Sequence, residues 1–150
     1  MIEEKYNRLK AKYNLPDFRE INNAFEISLI EKDEFLLREI RRKLADKIAF
    51  FAGIMGGSVS PDSVPGALIE FGNIDDEDAK KVFDIYKKLM YWERYSAQNS
   101  ALGDDKKDAE FIRAFYEAWK TLRNEIAEIL GELKESWKKK AKKEDGEYLL

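Results

Sequence analysis

The clearest hydrophobic pattern lies in the last third of the chain. Large apolar residues there recur at alternating steps of three and four, the spacing of the a and d positions of a heptad repeat. They are Ile112, Phe115, Trp119, Leu122, Ile126, Ile129 and Leu133. The pattern predicts one long helix from about residue 106 to residue 143. Because other apolar residues flank this stripe, more than one neighbouring helix is needed to cover it.

Three shorter helical patterns precede it in the first half of the chain. Ile2–Tyr13 predicts a helix that ends before Pro16, and Phe18–Phe25 predicts a second, short helix. A third helix is expected to begin at the Ser28–Glu31 segment, which resembles a capping box. It is expected to end in the glycines from Gly53 to Gly57.

The middle of the chain combines one irregular segment with one long helix. The segment Gly56–Asn73 is rich in glycine and proline, and a short helix from about Val64 to Phe71 is expected to interrupt it. The acidic run Asp75–Asp78 then predicts a strong helix start, because carboxylates stabilise the positive end of the helix dipole. This fourth helix is expected to run to Leu102 and to end at Gly103.

These patterns together predict an all-α fold. No segment alternates apolar and polar residues in the manner of a half-buried strand. We expect an antiparallel helical bundle of about four principal helices plus short helices, with a long C-terminal helix. Residues 1–150 are expected to form a single helical domain, in which residues 134–150 are either the helix end or a frayed tail, first basic and then acidic.

Composition narrows the possible functions. The chain has no cysteine and no histidine, which excludes disulfides, thiolate or imidazole catalysis and metal sites built from these residues. A net charge of -3 provides no global field that would recruit nucleic acid or an anionic membrane. The N-terminus lacks the apolar core of a signal peptide. We therefore expect a cytoplasmic protein without membrane contact, cofactor or metal, and not an enzyme.

The favoured functional hypothesis concerns an aromatic cluster on the fourth helix. Tyr91, Trp92, Arg94 and Tyr95 spread around most of the helix circumference, so some of these rings must lie outside a simple core stripe. They either pack beneath the glycine and proline segment or form the centre of a partner-binding face, where Tyr, Trp and Arg are enriched. This predicts a protein-interaction or scaffold module whose partner is another protein or a second copy of the chain.

A lysine-rich run near the C-terminus supports an alternative. It comprises Lys134, Lys138, Lys139, Lys140, Lys142 and Lys143. Lysines at a helix C-terminus also interact favourably with the helix dipole, and acidic residues follow them immediately. The alternative hypothesis is a nucleic-acid-associated factor that binds phosphates through these side chains.

A second alternative rests on carboxylates three residues apart. Such pairs occur at Glu31 and Glu34, at Glu125 and Glu128, and at Glu132 and Glu135. On a helix this spacing places both groups on one face, where a divalent cation could bind. The corresponding function is a Mg-dependent all-α nucleotide phosphohydrolase, against which a solvated acidic face is the simpler interpretation.

The third predicted helix also carries a basic group. Arg38, Arg41 and Arg42, with Lys43, lie within two turns of one another. Glu34 precedes Arg38 by four residues, and Asp46 follows Arg42 by four. Ion pairs within the helix are therefore the expected explanation for most of this group.

Overall fold

The computed structural model describes residues 2–60, 62, 66–72 and 74–147, and for residues 141–147 it describes the backbone only. Within these ranges the chain forms six α-helices and two 3₁₀ turns, and no strand. The α-helices are α1 (Ile2–Tyr13), α2 (Phe18–Phe25), α3 (Leu36–Met55), α4 (Ala67–Phe71), α5 (Asp76–Leu102) and α6 (Asp105–Glu147). The 3₁₀ turns are Ile27–Leu29 and Gly56–Ser58. The predicted all-α bundle is confirmed.

Contacts within the chain divide it into two compact units. Unit 1 comprises residues 1–50 and 89–120, and unit 2 comprises residues 51–88 and 121–150. Helices α3, α5 and α6 each contribute residues to both units. The expectation of a single domain stays a prediction.

The heptad pattern of α6 is confirmed. All seven of its a and d residues are buried, with Ile112, Phe115 and Trp119 in unit 1 and the other four in unit 2. In unit 1, Phe25 of α2 packs on this stripe, with its ring centroid 5.8 Å from that of Phe115 and 5.5 Å from that of Trp119. The stripe is therefore shielded from water by other helices of its own chain.

Both ends of α5 form as the sequence predicts. The Asp75 carboxylate accepts a hydrogen bond of 2.8 Å from the Asp78 backbone N–H and so caps the first turn. At the other end, Gly103 adopts a positive φ of 61° and its N–H bonds to the Asn99 carbonyl at 2.9 Å. Glycine adopts this conformation without strain, which explains where the helix stops.

The third helix departs from the prediction at its start. It begins at Leu36, and the segment expected to cap it forms the Ile27–Leu29 turn instead. The Ser28 backbone N–H donates to the Asn22 side-chain oxygen at 2.8 Å, so it is held by α2 rather than starting a helix. At the far end α3 stops at Met55, directly before Gly56 and among the glycines where its end was predicted. Gly53 lies inside the helix, where it is exposed and costs the helix only about 1 kcal/mol.

The short helix in the middle of the chain is confirmed with a later start. It begins at Ala67, whereas the predicted first residue, Val64, lies outside the described residues. Gly57 packs closely against this helix in unit 2. A Cβ atom at Gly57 would lie 2.9 Å from the Phe71 ring and 3.0 Å from the Ala67 Cβ, so a larger residue there would require α4 side chains to shift.

Among the described residues, no helix has the length and apolar character needed to cross a membrane.

Candidate interaction site

Three aromatic rings on α5 form a compact cluster in unit 1. Trp92 and Tyr95 stack nearly parallel, with ring centroids 5.8 Å apart and an angle of 11° between the planes. The Tyr91 ring stands almost perpendicular to both, at 5.1 Å from Trp92 and 6.1 Å from Tyr95. Tyr91 is 61% exposed, and the other two rings are partly exposed. We call these three rings, with Arg94 at their edge, the aromatic face.

The aromatic face rests on two buried rings of α6. Trp92 contacts Phe111 and Phe115 edge to face at 5.9 Å and 5.3 Å, and Tyr95 contacts Phe111 at 5.0 Å. Phe111 and Phe115 are fully buried and stack on each other at 5.9 Å. This support fixes the side-chain rotamers of Trp92 and Tyr95, so little conformational entropy remains to be lost on binding. Sequence reasoning placed Phe115 in the buried stripe of α6 but did not predict that Phe111 and Phe115 support the rings of α5.

Charged groups surround the rings without covering them. The Arg94 side chain is 70% exposed and pairs with its neighbour Glu93 at 3.1 Å. Burial raises the pKa of the Tyr95 hydroxyl, Glu110 raises it further and Arg113 opposes the shift. The hydroxyl therefore keeps its proton at neutral pH and remains a hydrogen-bond donor.

A buried polar network lies beside the aromatic face. Arg41 of α3 donates from Nε to Asp108 Oδ1 of α6 at 2.8 Å, and from Nη1 to the Ser96 hydroxyl and carbonyl of α5 at 2.8 and 3.0 Å. Arg41 is 2% and Asp108 1% exposed. Burial raises the pKa of Asp108, and the adjacent Arg41 charge opposes this. Three helices of unit 1 are joined through one guanidinium group.

The predicted ion pairs within α3 are therefore largely wrong. Arg41 pairs with Asp108 of α6 because it lies in the buried stripe of α3. It follows Leu37 by four residues and precedes Leu44 by three, and this spacing could have predicted its burial. Arg42 pairs with Glu39 at 2.9 Å rather than with Asp46. The Arg38 guanidinium lies over the Phe35 ring at 4.4 Å, and Glu34 precedes the helix.

The lysine-rich run divides into three groups. Lys134, Lys138 and Lys139 are exposed, and Lys134 approaches Glu135 at 3.9 Å. The Lys140 amino group donates to the Ile69 carbonyl of α4 in unit 2, so this lysine has a structural contact. The side chains of Lys142 and Lys143 lie outside the described residues.

The carboxylate pairs do not assemble a metal site among the described residues, where no three acidic side chains are grouped closely enough to hold an ion. Glu31 and Glu34 precede α3 and do not share a helix face, so that part of the prediction is wrong. Glu125 bonds to Lys88 with both carboxylate oxygens at 3.0 Å. Burial and a hydrogen bond with Asp78 raise the pKa of Glu132.

Comparison of the chain with protein-family models, with curated proteins and with solved structures gives no match.

Proposed function

We propose that the chain is a protein-interaction module that docks a partner on the aromatic face. The observation that carries this proposal is the 61% exposure of Tyr91. Its cluster is supported from below by the buried rings of Phe111 and Phe115. Interfaces are typically anchored by Tyr and Trp side chains that offer a large contact area at low entropic cost. In this proposal Tyr91, Trp92 and Tyr95 are the anchors, and Arg94 lies at the polar rim.

The cleanest test substitutes Tyr91, because Trp92 also supports the fold through its contacts with Phe111 and Phe115. We expect Tyr91→Ala to fold normally and to lose most of the partner capture shown by the wild-type protein in a pull-down with chemical cross-linking. Leu29→Ala is the matched control, because Leu29 is 63% exposed in unit 1 but lies on a different element. Equal capture by wild type, Tyr91→Ala and Trp92→Ala would contradict the proposal.

A second candidate function is binding of nucleic acid by the end of α6. The observation that favours it is the exposure of Lys134, Lys138 and Lys139 within six residues of α6. Lysines of this kind bind phosphates by displacing condensed counterions, so the affinity must fall steeply with salt.

This second candidate is tested by titrating DNA and RNA across a salt series. We expect simultaneous Lys134→Gln, Lys138→Gln and Lys139→Gln substitution to weaken binding and to lower the slope of log affinity against log salt. Lys140→Gln is the informative comparison, because Lys140 already bonds to α4. Binding that is absent, or independent of salt, excludes this function.

A further inference from the structure

Unit 2 contains a cavity of about 370 Å³ between α4, the first turns of α5 and the Gly56–Ser58 turn. Its largest lining side chains are those of Val59, Leu68, Phe71, Ile74 and Phe83. None of the described residues that line it is charged. We call this space the α4 cavity.

The α4 cavity has a buried floor and an open apolar mouth. Phe71 is 7% exposed, and its ring lies against Gly57. Val59, Leu68 and Phe83 are exposed, although all three are large apolar residues. Removal of apolar surface from water contributes about 25 cal/mol per Å². A ligand that fills the cavity therefore gains free energy mainly by covering these side chains.

Polar groups beside the cavity are already hydrogen bonded within the chain. The Ser58 hydroxyl donates to the Met55 carbonyl at 2.9 Å. The Gly72 N–H donates to the Leu68 carbonyl, also at 2.9 Å. A polar ligand would exchange its hydrogen bonds to water for groups that already have partners, which costs free energy. The walls thus favour a ligand that is recognised by shape and apolar contact.

Charged groups around the cavity carry both signs. The residues that directly adjoin the lining in the sequence and carry a charge are Glu70, Asp75, Asp78, Lys80 and Asp84. Glu70 bonds to Trp137, and Asp75 bonds to the Asp78 N–H. Lys87 lies 5.0 Å from the Phe83 ring centroid but pairs with Asp84 at 3.2 Å. Uncharged walls with mixed charges around them favour a neutral ligand over an anion or a cation.

We propose that the α4 cavity is a binding site for a small, neutral, apolar molecule. Sites for small molecules are mostly apolar clefts of about 300–1,000 Å³, and an apolar cavity of about 150 Å³ binds benzene. The expected ligand is therefore roughly twice the size of benzene, such as a fused two-ring aromatic compound. A partner helix is too wide, because a helix with its side chains is about 10–12 Å across and the cavity would hold less than one turn. The proposal is independent of the aromatic face, whose residues belong to unit 1.

Ligand-observed NMR titration of the full chain with methylnaphthalene tests the proposal. We expect saturable binding at one site. Naphthoate and naphthylmethylammonium have a similar shape but carry a negative and a positive charge, and we expect each to bind at least about tenfold more weakly. Absence of saturable binding by methylnaphthalene would overturn the proposal, and so would equal or tighter binding of either charged compound.

Two neighbouring residues of α4 provide a matched pair of variants. Leu68 and Ile69 are 63% and 55% exposed, but only Leu68 lines the cavity. We expect Leu68→Ala to weaken methylnaphthalene binding about tenfold and Ile69→Ala to leave it unchanged. Equal weakening by the two variants would mean that the compound adsorbs to exposed apolar side chains in general, which contradicts a site in the cavity.

A third variant fills the cavity from α5. Ala79 lines the α4 cavity, so Ala79→Phe should abolish methylnaphthalene binding while circular dichroism shows unchanged helix content. Ala97→Phe is the control, because Ala97 is exposed on α5 in unit 1, and it should bind like the wild type. Undiminished binding by a folded Ala79→Phe protein would place the compound elsewhere and overturn the proposal. If Ala79→Phe fails to fold, the comparison of Leu68→Ala with Ile69→Ala decides.

Discussion

The two units bury different kinds of side chains. In the part of the chain that the structure describes, all the buried charged and polar side chains belong to unit 1, namely Arg41, Ser96, Asn99 and Asp108. The buried side chains of unit 2 over the same ranges are apolar, and include Met55, Phe71, Val82, Ile85, Ile126, Ile129 and Leu133. Unit 2 is therefore held by shape and hydrophobic burial, whereas unit 1 adds directional bonds.

This difference has a consequence for the aromatic face. A hydrophobic contact tolerates small rotations of a helix. In unit 1, however, the hydrogen bonds from Arg41 to Ser96 and Asp108 fix the rotation of α5 relative to α6. Ser96 directly follows Tyr95. Asp108 lies three residues before Phe111, whose ring supports the Tyr95 ring. The buried network therefore orients the rings of the aromatic face.

The largest predicted effect comes from breaking this network on one side. Asp108→Ala leaves the Arg41 guanidinium buried without its carboxylate, and we expect a loss of about 3–5 kcal/mol in the free energy of unfolding. Urea unfolding followed by circular dichroism measures the loss, and hydrogen exchange shows whether it is concentrated in unit 1.

A double replacement tests whether the unpaired Arg41 charge causes this loss of stability. Arg41→Met with Asp108→Leu removes both charges, and replacement of a buried pair by apolar residues is often neutral or stabilising. We expect this variant to regain most of the stability lost in Asp108→Ala. A double variant as unstable as the single one would contradict the idea that the unpaired charge causes the loss.

The second prediction tests the apolar core of unit 2. Ile129 is 2% exposed, so Ile129→Ala should leave a cavity and cost about 2–4 kcal/mol. Ile112→Ala deletes the same atoms from the stripe in unit 1 and is the matched comparison. Similar losses by denaturant unfolding would show that the apolar contribution is alike in both units. A cost below that of a surface substitution at either position would contradict its burial.

A third prediction concerns a tyrosine of unit 1. The Tyr6 hydroxyl donates to the Pro16 carbonyl at 2.6 Å, so Tyr6→Phe should cost about 1 kcal/mol at neutral pH. Burial, with a smaller contribution from Asp17, raises the pKa of Tyr6 above its ordinary value of 10.0. A raised folded-state pKa means that unfolding releases protons at alkaline pH. The stabilising contribution is therefore complete below pH 10.0 and is lost as pH rises above it.

Thermal unfolding as a function of alkaline pH measures this effect. We expect the stability of the wild-type chain to fall above pH 10.0 more steeply than that of Tyr6→Phe, which has no hydroxyl to ionise. Identical pH profiles for the two proteins would contradict a raised pKa at Tyr6.

Features of the fold that follow from residue spacing along one helix could be predicted from the sequence, whereas contacts between residues far apart in the sequence could not. The stripe from Ile112 to Leu133 follows from spacing alone, and so does the capped start of α5 at Asp75. The pairing of Arg41 with Asp108 joins residues 67 positions apart, and spacing alone cannot specify which carboxylate meets a buried guanidinium. The start of α3 was missed because a side chain of α2, Asn22, captures the Ser28 N–H.

The candidate site was predicted only in part, because its ring positions follow from the sequence of α5 but their exposure depends on contacts with α6. The composition and helical position of Tyr91, Trp92 and Tyr95 indicated that some rings lie outside the core, but not which one is exposed. Exposure depends on Phe111 and Phe115, which face α5 only because the chain turns at Gly103. Leu102 was interpreted as a helix end rather than as part of an exposed surface.

The smallest predicted effect concerns the contact between α4 and the end of α6 in unit 2. Trp137 Nε1 donates to the Glu70 carboxylate at 2.7 Å, and the Lys140 amino group lies 5.4 Å from the Trp137 ring centroid. Trp137 is 39% exposed, so water replaces much of the lost bond in Trp137→Phe. We expect a cost of about 0.5 kcal/mol and a roughly twofold loss of hydrogen-exchange protection in α4.

Glu70→Gln is the matched variant, because it keeps an acceptor oxygen for Trp137 but removes the charge. If the bond itself orders α4, Glu70→Gln should retain most of the protection that Trp137→Phe loses. Equal losses in both variants would instead assign the effect to the carboxylate charge. Unchanged protection in both would mean that buried contacts hold α4, chiefly those of Ala67 and Phe71 against Gly57, without help from α6. In that case even the periphery of unit 2 depends on shape alone, which makes its contrast with the hydrogen-bonded core of unit 1 sharper.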